Sequence, residues 1–485
     1  MGVQPDRELL KQFDKDNNGR LNKEERKAAQ EFVAANPGGG RGFGRGFGRG
    51  GNQTPPTPNG KLTPAAVKKY GKESLYDEKV LRTIFIDFED ADWEQQMAAF
   101  YRSDVLVAAK MTVDGKVYPE IGVSFRGNSS YMGVSAGFKR SLHLNVDFAD
   151  SKTDLLGYKT LNLLNGHEDA SFIHGVLLSH ISQDYIPALK ANFMRVVING
   201  ETWGIYVNQQ HFNGDFLKEA FPSNSKGTRW KVPGSPGGSR GGLGYLGEDI
   251  ATYKTAYELK SKDDPKAWAS LQNLTKVLSQ TPAEQLPKAL ENLLDVDSVL
   301  KYLAVDKALI NGDGYWTRGS DYNIFLDEKG KFHILNHDLN EALNVAMGPG
   351  GGGGVNLDPF AGTNDSNKAL YNLLKVPAWR AKYLSTLKNV AEKWLDWNRL
   401  GPLAKSYHDL IAADVKVDNR KLETNAGFDA SLDADEVPEG NGMFGGGPGG
   451  GRGGFGGGRG LSLKKFADQR RAYLLAHPEI TGSVI

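Results

Sequence analysis

Residues 37–60, PGGGRGFGRGFGRGGNQTPPTPNG, constrain this chain more than any other stretch. Glycine and proline at that density cannot bury enough apolar surface to offset chain entropy, so no packed element can run through them. The segment reads as a flexible linker. Its alternating Arg and Phe also admit a surface-binding or nucleic-acid-binding reading, which would be weak and salt-sensitive. A related run recurs at 443–460 and a shorter one at 348–354. These fall inside the C-terminal half and read as long surface loops, placed where they could cover a site.

The remaining sequence is ordinary globular material. Of 485 residues, 39% are hydrophobic and 10% aromatic, enough for a sizeable core, whereas the 60 glycines are concentrated in runs. A net charge of +1, from 59 basic and 58 acidic residues, gives no general attraction to nucleic acid or acidic membranes. The absence of cysteine excludes disulfides, thiolate metal sites and cysteine nucleophiles. No apolar run approaches the ~18 residues of a membrane span. The opening MGVQPDRELL lacks an apolar h-region, which suits a cytoplasmic chain or one whose signal peptide has been removed. The histidines His167, His174, His180, His211, His333 and His337 show no HExxH spacing, and no G-x-S-x-G elbow lies between a strand and a helix, so zinc and serine hydrolases are disfavoured.

Hydrophobic periodicity divides the chain into 1–36, the linker 37–60, a β-rich part 61–212 and a helical part 213–485. Strands are predicted at 80–88, 105–113, 117–125 and 141–148, with a helix at 170–186 opened by Asp169. Strands 193–198 and 204–209 flank Asn199-Gly200, a strong hairpin signal. Helices are predicted at 265–280, 282–293, 295–311, 366–395 and 397–414, interrupted by a hairpin of 322–326 and 332–335. This is an α+β, two-lobed layout.

Within 1–36 the pattern is helix, loop, helix. Asp14 to Glu25 fits the twelve-residue EF-hand template at every position. Asp14, Asp16 and Asn18 offer side-chain oxygens, Arg20 its backbone carbonyl, Asn22 the position that often works through water, and Glu25 the bidentate closing carboxylate. Gly19 takes the sharp turn and Leu21 packs inward. The set suits a hard Ca²⁺ ion, and a lone hand points to a structural or docking role.

A second constellation lies further on. Gly122 to Ser130 ends a strand in a small polar turn whose backbone N–H groups could face phosphate, with Arg126 as a cation. A strand then starts with Phe138-Lys139-Arg140-Ser141, and a lysine on a strand after such a loop could reach a nucleotide's α/β-phosphates, as in kinases. Asp313 follows a long apolar helix, Asn323 opens the hairpin, and Asp338 closes it. An Asp, an Asn and an Asp in that order serve kinases as hydroxyl-orienting base and metal ligands. Read without further context, Asp313 and Asn323 equally well shape turns.

The sequence R-G-N-S-S at 126–130, K-R-S at 139–141, Leu161 to Asn165 followed by Asp169-Ala170-Ser171, Gly204-Ile205-Tyr206, Asp215-Phe216-Leu217, Asn311-Gly312-Asp313, Asp321-Tyr322-Asn323 and His337-Asp338 together resemble the CotH (spore coat protein H) kinase family. The resemblance implies an atypical two-lobed protein-kinase-like fold behind the EF-hand segment. It implies ATP with Mg²⁺ or Mn²⁺, and γ-phosphoryl transfer to Ser/Thr hydroxyls of secreted or coat proteins, outside the bacterial cytoplasm. By position, Asp313 and Lys139 would be catalytic. Arg126, Gly127, Asn128, Ser129, Ser130, Lys139 and Arg140 would hold nucleotide, and Asn323, Asp338 and Asn340 the metal. Some positions depart from the family pattern. His337 and Asn340 stand where many members carry Trp and Asp, His174 and Gln210 where Arg and Glu are expected, and Asp313 and Asn323 are ten positions apart against five in ordinary protein kinases. Asp306 or Asp321 is therefore an alternative base, and Glu168 and Asp169 are candidate partners for Lys139. A catalytically silent coat or matrix module and a transferase of another group, such as AMP, are the rival readings.

Overall fold

The strands within 82–209 form a closed sheet rather than an open one. The computed structural model describes residues 7–36, 55–234, 240–337, 339–345, 354–438 and 461–482. Seven strands, β1 (Arg82–Phe88), β2 (Val107–Val113), β3 (Lys116–Phe125), β4 (Leu142–Asn145), β5 (Thr160–Leu164), β6 (Ala191–Ile198) and β7 (Glu201–Gln209), form a barrel in the order β1-β2-β3-β4-β5-β7-β6. Every neighbouring pair is antiparallel except β1 and β6, whose parallel register of Ile84 with Val196 closes the ring. Met194, Val196 and Ile198 of β6 point inward to Ile84, Met111, Val123, Leu144 and Leu161. Phe193 on β6, with Ile205 and Val207 on β7, faces the other way into a second core shared with helices.

That second core contains the helices His174–Gln183, Pro265–Gln280, Val296–Ala308, Pro377–Lys393, Trp397–Val417 and Leu463–Ala476, and a four-stranded antiparallel sheet. In the sheet, β8 (Gly227–Val232), β9 (Glu258–Leu259), β10 (Tyr322–Asp327) and β11 (Phe332–Asn336) lie in the order β11-β10-β8-β9. Among the described residues no helix is long and apolar enough to cross a membrane.

The expected two-lobed, kinase-like arrangement is therefore replaced by a closed seven-stranded barrel set against a mixed helical and sheet body. Period-2 alternation reveals that strands exist, not which pair. The β1–β6 contact joins segments about a hundred residues apart and leaves no trace in local pattern.

Several boundaries shift for local reasons. The helix predicted from 170 begins at His174, because the Asp169 carboxylate instead accepts from the backbone N–H groups of Ser171 and His174 and holds a tight turn. Pro377 splits the stretch 366–395 into a 3₁₀ turn, Ala369–Lys375, and the helix Pro377–Lys393. The Asn199-Gly200 hairpin forms with both residues at positive φ, 49° and 80°. The linker's first part, 37–54, lies outside the described residues. Its end is fastened, since Asn59 Nδ2 donates to Thr202 O at 2.9 Å and to Asp418 at 3.0 Å. The glycine runs at 443–460 and over most of 348–354 also lie outside the described residues.

The N-terminal segment folds as helix α1 (Leu10–Phe13), a loop, and helix α2 (Lys23–Ala35). It packs on helix α3 (Trp93–Ala99) at the barrel, with Leu9, Leu21 and Ala29 buried in the barrel core cluster. Asp104 accepts from the Leu9 N–H at 2.7 Å, and Arg26 donates to Leu21 O at 3.0 Å and to Gln96 at 3.3 Å.

Candidate functional site

The sequence-predicted residues separate into three places. In the N-terminal loop, carboxylate oxygens of Asp14, Asp16 and Glu25 converge to within 4.8 Å of one another. Asn17 and Gly19 take positive φ, 57° and 82°, which turns the loop back on itself. The N–H groups of Asn18 and Gly19 donate to Asp14 at 3.2 and 2.8 Å. Glu25 accepts from the Lys15 and Asn22 N–H groups, each at 2.9 Å. Asn22 accepts from the Glu25 N–H at 3.0 Å, so the closing ligand position is also a capping box that starts α2. Carboxylate oxygens turned to one centre suit a hard divalent ion.

Lys139 lies elsewhere. Its side chain is 0% exposed, with Nζ 2.8 Å from Asp418 Oδ2 and 2.9 Å from Ile205 O. The rings of Phe172 and Tyr206 enclose it at 4.8 and 5.5 Å. Its acidic partner is Asp418, just past the helix Trp397–Val417, and neither Glu168 nor Asp169. Gly204 is required there, because a Cβ would stand 2.1 Å from Asp418 Oδ2. Arg140 stacks over Tyr131 at 4.5 Å and donates to Val134 O at 2.7 Å. Both cations thus fasten the barrel to its surroundings.

The 126–130 turn is held from outside. The Arg126 N–H donates to Ser141 O at 2.9 Å, Tyr101 Oη to Gly127 O at 2.6 Å, and Arg102 to the Asn128 side chain at 2.8 Å. Asn165 donates to Ser130 O at 3.2 Å. Gly127 is at φ 93° with Ser130 Oγ so near that a Cβ would meet it at 2.1 Å. The side chain of Ser129 lies outside the described residues.

The third place is the β10–β11 hairpin. Asn323 is buried at 1% exposure and its Nδ2 donates to Asn336 O at 3.1 Å, with His337 Nδ1 at 3.4 Å. That commitment of Nδ2 leaves Oδ1 as the atom able to meet a cation. Asp338 lies outside the described residues, and Asn340 is half-buried two positions beyond it. Asp313 is ion-paired to Arg318, which also approaches Asp321 at 3.9 Å. Asp321 sits at φ 57° and accepts from Ser320 Oγ at 2.9 Å. Gly234 presses on its carboxylate, where a Cβ would be 2.7 Å from Oδ1. Asp306 is buried beneath the same turn, accepting from Asn311 and from the Tyr315 and Trp316 N–H groups, and burial raises its carboxyl to about 7. A Cβ on Gly314 would lie 2.2 Å from Asp306, so this carboxylate shapes the turn that carries Asp313.

Sequence reasoning missed what faces Asn323. Lys231 on β8 is its directly opposed cross-strand partner. Around them stand His337, His211 and His143, the last two with ring centroids 5.9 Å apart. Burial, and then nearby cations such as Arg126 and Lys260, depress all three imidazoles, His143 to about 4. Burial also lowers the Lys231 ammonium, with Arg126 adding to the effect. The only hint in the sequence is a lysine in an otherwise unremarked strand, Gly227–Val232.

No curated protein matches the chain. The family profile described as CotH kinase protein matches residues 123–438, more than half of the chain, from β3 through the helix Trp397–Val417 and the turn beyond it. The matched span takes in the 126–130 turn, Lys139 with its partner Asp418, and the Asp313–Asn323 segment, and on that match the chain belongs to the CotH kinase protein family.

Proposed function

We propose that the protein is an ATP- and divalent-metal-dependent phosphotransferase acting on Ser/Thr hydroxyls of secreted or coat proteins. The observation that carries this reading is the orientation of Asn323. Its amide nitrogen is spent on Asn336 O, so its oxygen is left for a cation. Asn323, Asp338 and Asn340 would hold Mg²⁺ or Mn²⁺, which neutralises charge building on the phosphoryl oxygens. Asp313, once released from Arg318, orients the acceptor hydroxyl and takes its proton. The oxygen then bonds to the γ-phosphorus as the bond to the β-phosphate oxygen breaks and ADP leaves. Positioning and charge neutralisation supply the acceleration. Incubation with γ-labelled ATP and Mg²⁺ or Mn²⁺ tests the reading, since transfer of label to the protein itself or to an acceptor is expected. Absence of transfer with every acceptor would reject it.

The N-terminal loop we read as a Ca²⁺ site formed by Asp14, Asp16, Asn18, the Arg20 carbonyl, Asn22 and Glu25. The converging carboxylates and the packing of Leu21 in the barrel cluster support a structural role.

The engagement of Asp313 by Arg318 favours a second reading, a catalytically silent coat or matrix module. Calorimetry with millimolar ATP·Mg distinguishes them, because a silent scaffold takes up no nucleotide. A transferase of AMP would be recognised from the mass of its product.

A further inference from the structure

We propose that Lys231, rather than Lys139, binds the phosphate chain of the nucleotide, at a site that also holds Arg126, His143, His211 and His337. The inference rests on the phosphotransferase reading for the identity of the ligand.

Lys139 has no charge left to offer. It is enclosed, its acid is Asp418, and its remaining reach goes to Ile205 O. Lys231 is the opposite case. Of the two acids near it among the described residues, Glu258, its cross-strand partner on β9, is ion-paired to Lys260. The other, Asp321, lies by Ser320 and Arg318. Among the described residues no carboxylate forms an ion pair with Lys231.

A desolvated ammonium without an acid is unfavourable, and proteins keep such groups where a ligand supplies the countercharge. The surroundings agree with an anion. Arg126 adds positive charge nearby, and the rings of His143, His211 and His337 offer nitrogens as hydrogen-bonding groups. Nδ1 of His211 is fully buried and has no hydrogen-bond partner among the described residues. The strand register places Lys231 opposite Asn323, so an anion on Lys231 lies beside the proposed metal position, as the β- and γ-phosphates must.

The experiment uses the full-length protein with two probes, inorganic tripolyphosphate and ATP·Mg, titrated by calorimetry into wild type and Lys231→Met. Loss of a charge-assisted contact should weaken both by roughly tenfold or more. Without ligand, Lys231→Met should melt at or above the wild-type temperature, since a half-buried charge without an ion-pair partner is removed; a merely structural lysine would lower it. If the methionine variant does not fold, Lys231→Gln is measured in its place. Wild-type affinity in the variant overturns the assignment while leaving the phosphotransferase reading intact. Tripolyphosphate binding that depends on Lys231 without any ATP binding upholds the site and rejects the nucleotide. Failure of wild type to bind either probe rejects both.

Discussion

Nζ of Lys139 lies 2.8 Å from Oδ2 of Asp418, with the two side chains 0% and 1% exposed. The pair joins the edge of the barrel to the end of a long helix, and Asp418 also accepts from Asn59 and from the Arg420 N–H. Breaking a buried pair leaves one charge uncompensated. Asp418→Ala should therefore lower stability by ~3–5 kcal/mol, read by urea denaturation, while Lys139→Met combined with Asp418→Leu recovers most of the loss. A cost below ~1 kcal/mol for Asp418→Ala would show that the pair is not a fastening.

Asp338→Ala and Asn323→Ala remove proposed metal ligands. Label transfer from γ-labelled ATP should fall at least ~100-fold in each, with thermal midpoints near wild type for Asp338→Ala. Undiminished transfer by Asp338→Ala would refute its role.

Calcium should stabilise the N-terminal hand through mass action, by about 2.7 kcal/mol at a hundredfold excess over the dissociation constant. The melt of the hand and barrel should shift upward with Ca²⁺ and fall with chelator, and Glu25→Gln should abolish the response. An identical response in that variant would place the ion elsewhere.

Asp306 gives a pH dependence with a definite sign. Its folded value of about 7 lies above the ordinary 3.8, so the folded chain holds the proton more tightly. Its contribution to stability is therefore lost as pH rises from about 4 to about 7, by up to ~1.4 kcal/mol per unit. Asp306→Asn lacks this decline. Urea denaturation at pH 5, 6, 7 and 8 should show the variant gaining on wild type up to pH 7 and then levelling. A constant difference across the series would contradict the burial of a titrating carboxyl.

Features governed by neighbours in sequence were legible. The Asn199-Gly200 turn has to adopt positive φ, and the helix predicted at 265–280 forms, with Asp264 capping its start in the structure. The 14–25 loop supplies its own turn and its own hydrogen bonds, and the carboxylates of Asp14, Asp16 and Glu25 converge within it. The C-terminal helix Leu463–Ala476 was not anticipated. Its fully buried Arg470 donates to the carbonyls of Lys307, Ala308, Val355 and Leu357, partners from two distant segments.

The sequence by itself determined the local chemistry: which residues turn, which alternate, the oxygen-rich loop, and the family order of Asp313 and Asn323. Tertiary structure alone decided that β1 closes on β6, that Lys139 belongs to Asp418, and that Lys231 faces Asn323. The physical reason is that a side chain's charge is known from its identity, but its partner is set by burial and strand register between segments far apart in the chain. Those are properties of the packed whole, with no counterpart in local spacing.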